Sequence, residues 1–118
     1  MVIKLRYIGF WIDPDDPETQ HLPDPRQFID TGWNPRERDQ VIRYVRQGEE
    51  EDACLGYSWC RFECGIPNEQ MGNRDLTDGD YVWPEGYVHY IEKHNVKPPE
   101  EFIEHVRRKL AEQESKNT

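Results

Sequence analysis

Asp78-Gly79 stands between two runs with strand character, Arg74-Asp75-Leu76-Thr77 and Asp80-Tyr81-Val82-Trp83. An Asp-Gly pair flanked in this way is among the strongest local hairpin signals. The second turn position needs a positive φ, which glycine adopts without steric cost. A sheet with this hairpin is therefore the fixed point of any fold for this chain. Tyr81 and Trp83 alternate with Val82, so the two rings share one face of the returning strand. Pro84 is placed to start a helix, "EGYVHYIEKH", which Asn95 can end in a left-handed cap. Val88 and Ile91 supply its core contacts.

The rest of the chain reads outward from the hairpin. Residues 2–12, "VIKLRYIGFWI", predict a strand, with Ile3, Leu5 and Tyr7 alternating with Lys4 and Arg6. Pro14, Pro17, Pro23 and Pro25 make residues 13–25 a loop, and "FIDTGW" (28–33) is an apolar patch able to anchor it. A helix is expected from Asn34, with Asn34 as N-cap, Pro35 in the first position and Glu37 in the first turn. Val41, Tyr44 and Val45 form its apolar face, and Gly48 is placed to stop it. "EEED" (49–52) reads as a solvated acidic run, "CLGYSWCRFEC" (54–64) as an aromatic strand, and 65–73 as a loop. A last helix is expected from 100 to about 113, with Phe102, Val106 and Leu110 on one face. Residues 114–118 are expected to be a disordered tail. The sum is one α+β domain over 1–113: a small antiparallel sheet of about three or four strands against about three helices.

Composition narrows the functional classes. One domain is the expectation for 118 residues. Only 35% of the residues are hydrophobic, but four Trp, six Tyr and four Phe can fill a modest core. A formal net charge of −9 opposes phosphate neutralisation, so direct nucleic-acid binding is not expected. No signal peptide or apolar span is visible, and no membrane role is expected. Three cysteines make no even disulfide framework and suit a reducing cytoplasm.

"GYSWCRFECG", followed by "DLTDGDYVWPEGYVHYIEKHNVKPPEEF", resembles an uncharacterised family of small, mostly bacterial proteins. Those proteins share a Cys-Arg-Phe-Cys-Gly stretch, then Leu-Thr-Asp-Gly, Trp-Pro-Glu-Gly, His-Tyr and a final His. "IGFW", "LPDP" and the helix before Gly48 are similar too. The resemblance implies one compact domain and brings no activity with it. Here Glu63 lies between Phe62 and Cys64, where the family pattern has Cys directly after Phe.

Several constellations carry chemistry. Cys60, Cys64, His89 and His94 give C-x3-C and H-x4-H, a donor set suited to zinc. Two points weigh against it: Glu63 stretches the cysteine pair, and His89 and His94 lie about 140° apart around a helix of ~3.6 residues per turn. No cofactor is therefore expected, with zinc as the alternative. Glu85 and His89, at i and i+4, could act as an acid–base pair with Asp78 nearby. Cys60 with His89 could form a nucleophile pair, although Arg61 is the only adjacent cation to activate the thiol. The acidic stretch Asp13, Asp15, Asp16 and Glu18 lacks the alternation and glycine of a calcium loop. No catalytic motif appears, so catalysis is not the leading expectation. That expectation is an acidic interaction module neutralising or regulating a basic partner protein, of immunity or counter-defence type. Asp78, Trp83, Glu85 and His89 are its candidate binding residues. The alternative is a metal-binding or acid–base enzyme using Cys60, Cys64, Glu85 and His89.

Overall fold

The computed structural model describes residues 5–53 and 56–116. It is a small α+β fold with a four-stranded mixed sheet. The strands are β1 (Arg6–Tyr7), β2 (Glu49–Ala53), β3 (Arg74–Thr77) and β4 (Tyr81–Pro84), in the order β1-β4-β3-β2. The helices are α1 (Pro35–Arg46), α2 (Asn68–Met71), α3 (Tyr87–His94) and α4 (Glu100–Lys116). Two 3-10 turns, Pro17–Thr19 and Pro25–Phe28, order the proline-rich loop.

The Asp-Gly hairpin forms where the sequence places it. β3 and β4 pair antiparallel with Leu76 opposite Trp83, and Gly79 takes φ +98°. Asp78 closes the turn, its Oδ1 accepting the amides of Asp80 and Tyr81. Tyr81 and Trp83 do share a face, and both rings meet Phe102 of α4, at 5.0 and 5.8 Å between centroids. The Trp83 indole donates to the Val45 carbonyl at 3.2 Å, which fixes the end of α1 against the sheet. α1 begins as expected, with Asn34 Oδ1 accepting the amides of Arg36 and Glu37. Its buried face is Val41, Ile42, Tyr44 and Val45.

Several expectations need correction. The sheet is mixed, because β1 runs parallel to β4. The chain between them crosses the molecule instead of turning back. The first strand spans only Arg6–Tyr7. Gly9, at φ +76°, breaks the extended run, and Ile3 and Lys4 lie outside the described residues. Pro84 ends β4 instead of opening α3, since the Glu85 amide still bonds the Arg74 carbonyl of β3. The acidic run 49–52 is solvated but is also strand β2, at the sheet's edge. Among the described residues, 56–64 form no strand; that segment's amides and carbonyls bond side chains as well as backbone. The 65–73 loop contains α2. The C-terminal helix continues through Lys116, so the tail expected from 114 is helical to that point; residues 117–118 lie outside the described residues. No helix among the described residues is long and apolar enough to cross a membrane.

Candidate metal centre

Two pieces of chain build the site. One is the irregular segment from Ser58 to Cys64, the other is α3. Tyr90 of α3 ties them: its hydroxyl accepts the Arg61 amide at 2.9 Å and donates to the Trp59 carbonyl at 3.2 Å. Arg61 braces the segment from the other side, its Nε donating to the Ile12 carbonyl at 3.1 Å while its guanidinium lies over the Trp59 ring. A tight turn then follows, with the Glu63 amide on the Cys60 carbonyl at 2.9 Å and Glu63 at φ +51°. Glu63 is thus accommodated in a left-handed conformation. The chain curls and returns Cys64 toward α3.

The four predicted donors meet there. Cys60 Sγ lies 3.4 Å from His94 Nε2, Cys64 Sγ 3.4 Å from His89 Nε2, and the two Nε2 atoms are 3.2 Å apart. All four donor atoms lie within 4.8 Å of one another. The helical phase does not prevent this. His94 is the last residue of α3 and Asn95, at φ +57°, turns the chain away. The His94 ring stacks on Phe62 at 4.3 Å, which swings it toward His89.

Without a cation, burial favours the neutral form of Cys60, His89 and His94. Burial pushes the Cys60 thiol above its ordinary pKa. Burial lowers the pKa of both His89 and His94, and at His89 the neighbouring His94 and Lys93 add to it. Near neutrality the imidazoles therefore offer free lone pairs. Burial also pushes the Tyr90 hydroxyl up to about 12, so it acts as a neutral bridge.

The other expected residues lie elsewhere in the structure. Trp83, expected at a binding surface, is fully buried and its indole is satisfied. Asp78 faces α1 and α4: its Oδ2 accepts the Tyr44 hydroxyl and meets His105 Nε2 at 2.7 Å. Burial opposes ionisation of this carboxyl, but bonds from Tyr44, the Tyr81 and Asp80 amides and His105 outweigh it and hold the pKa below the usual value. Asp78, Asp80 and His105 form a second close group, but Asp78 has both oxygens engaged and Lys109 stands 3.4 Å from Asp80. Glu85 precedes α3 and receives the Asn73 amide at 3.2 Å. Among the described residues no hydrogen bond or ion pair joins Glu85 to His89, and Cys60 meets His94, not His89.

Sequence reasoning missed Phe62 as the platform for His94 and His105 as the partner of Asp78. His105 was findable, since it lies three residues after Phe102 on the buried stripe of α4.

Comparison with protein-family models, with curated proteins and with solved structures gives no match.

Proposed function

We propose that this chain is a zinc-binding domain in which Cys60, Cys64, His89 and His94 hold one ion in a structural role. The observation that carries this reading is the shape of the donor set. Zn–S bonds of about 2.3 Å and Zn–N bonds of about 2.05 Å define a tetrahedron with S–N edges of about 3.5 Å and an N–N edge of about 3.3 Å. The corresponding distances here are 3.4, 3.4 and 3.2 Å. Two thiolates and two imidazoles also neutralise and match a borderline-soft cation. Four protein ligands close the coordination sphere, as structural sites do; catalytic sites keep one position for water. The ion would clamp the 56–64 segment, which has no sheet pairing of its own, onto α3. Elemental analysis of the purified protein tests this, with one zinc per chain expected. Cobalt substitution should give the intense visible bands of a tetrahedral thiolate site. Metal-free protein that neither takes up zinc nor gains thermal stability from it would overturn the reading.

A second reading concerns what the clamped domain does. Every residue of β2 is exposed, and Glu49 to Asp52 lie along the open edge of the sheet. Asp52 stands opposite Asp75, whose pKa is raised by burial and by Asp52 and Glu51. Among the described residues no ion pair joins residues 49–52 to a cation, and this acidic edge supports recognition of a basic partner protein. Capture of such a partner should weaken when Glu50 and Asp52 are changed to Lys, and its on-rate should fall steeply with salt. A rate indifferent to salt would count against it.

A further inference from the structure

The two thiols of the centre differ in access. Cys60 is buried, 4% exposed, whereas Cys64 is open to solvent. Their sulfurs lie within 4.8 Å of each other, brought together by the Cys60–Glu63 turn. We propose that Cys64 and Cys60 form a hydroperoxide-sensitive pair whose closure to a disulfide expels the zinc. The proposal rests on the assignment of zinc to these four residues.

Zinc keeps both sulfurs as thiolates, the form that reacts with peroxides. An oxidant arriving from solvent meets Cys64 first. The Cys64 thiolate attacks one oxygen of hydrogen peroxide, the S–O bond forms and the O–O bond breaks. The departing hydroxide takes a proton from solvent and leaves as water. The Cys60 thiolate then attacks the Cys64 sulfur of that sulfenic acid. The S–S bond forms, the S–O bond breaks, and the second hydroxide leaves as water with a second solvent proton. Two electrons have passed from the two thiolates to the peroxide. His89 and His94 alone keep two of four ligands, too few to retain the ion. A dithiol reductant returns the electrons and restores the site.

Release of the ion has a structural consequence. Tyr57, Ser58 and Arg61 form one wall of a cavity of about 260 Å³ whose other walls include Trp11, Met71 and Glu85. The Tyr90 hydroxyl ties that segment to α3, and a bound ion would add a second tie. With the ion gone, the wall keeps the Tyr90 hydroxyl, the Arg61 bond to the Ile12 carbonyl and the Ser58 amide on the Gly72 carbonyl.

Zinc-loaded full-length protein carrying Cys54→Ser, which removes the third thiol, is treated with hydrogen peroxide. Zinc content is measured before and after, with a chromogenic chelator reading the released ion. Zinc absent before treatment defeats the zinc assignment and this proposal with it. With zinc present, the expected result is release of the whole equivalent and loss of the mass of two hydrogens. A Cys60–Cys64 cross-linked peptide should appear, and dithiothreitol with zinc should restore the centre. Amide exchange across 57–64 should quicken on oxidation. Retention of zinc at peroxide levels that oxidise free cysteine overturns the proposal while sparing the zinc assignment. So does accumulation of Cys64 sulfinic acid with Cys60 still a free thiol. Release without faster exchange overturns the loosening of the wall.

Discussion

The His94 imidazole lies flat on the Phe62 ring, with centroids 4.3 Å apart and planes 11° from parallel, while its Nε2 points at Cys60 Sγ. The ring therefore comes to the site already oriented. Arg26 covers Phe62 further, its guanidinium 5.0 Å from the ring centroid.

Phe62→Ala should therefore weaken zinc binding without touching a ligand. Groups that orient ligands typically change affinity by about 10–100-fold. Competition against a chromogenic chelator measures this. Affinity equal to that of the parent would mean that the stack orients nothing. Phe62→Leu, which keeps the bulk and loses the flat face, should fall in between.

The metal-free protein should lose stability as pH falls through the histidine range. Burial lowers the folded-state pKa of His89 and His94, so below about pH 6.5 the unfolded chain takes up protons first. Stability is full above that value and declines toward the folded-state values. Denaturant melts of chelator-treated protein at about pH 7.5 and about pH 5.5 should show the drop. The double variant His89→Gln, His94→Gln should flatten it. A metal-free protein that gains stability on acidification would contradict this account.

Much of the fold was legible because it is written in local chemistry. Asn34-Pro35 marks a helix start and Asp78-Gly79 a turn whatever surrounds them. The 54–64 stretch misled because its alternating aromatics, Tyr57 and Trp59, look like a strand, whereas at Trp59 and Arg61 the backbone bonds the Tyr90 hydroxyl instead of a neighbouring strand. β1 was overextended because its apolar run continues past Gly9, where the backbone changes hand. The donor set of the candidate metal centre could be named from the sequence. Its convergence could not, because it depends on the left-handed turn at Glu63 and the Phe62 stack, neither of which has a spacing signature.

Two glycine substitutions separate backbone strain from crowding. Gly79 has φ +98° with open space where a Cβ would stand, so Gly79→Ala should cost about 1–2 kcal/mol from the left-handed conformation alone. Gly9 has φ +76° and a Cβ there would lie 2.7 Å from the ring of fully buried Tyr87. Overpacking adds about 1–3 kcal/mol, so Gly9→Ala should be the costlier change. Urea melts of the two variants decide the order.

Asp78 joins the hairpin to two helices, and removing its acceptors should be felt in all three. Asp78→Ala leaves the Tyr44 hydroxyl, His105 and two turn amides short of partners, at a cost of about 3 kcal/mol or more. Because the folded-state pKa is depressed, the carboxylate's contribution is present above the unfolded value of about 3.9 and fades as pH falls through the lower folded one. The parent should thus lose this contribution in acid, and Asp78→Ala should show a shallower acid decline. Equal slopes for both proteins would remove Asp78 from the account.

β1 pairs in parallel with β4, Arg6 facing Tyr81 and Tyr7 facing Val82. The strand nearest the start of the chain therefore waits for residues some 75 positions later, the separation that the Arg6–Tyr81 hydrogen bond records. On a ribosome the hairpin and α3 emerge long after β1, so β1 has no sheet to join until then. Closing so long a loop is entropically expensive and slow. Folding should accordingly nucleate among the hairpin, α3 and α4, with β1 docking late. Until it does, the outer edge of β4 stays open during synthesis, a transient template for another chain's strand.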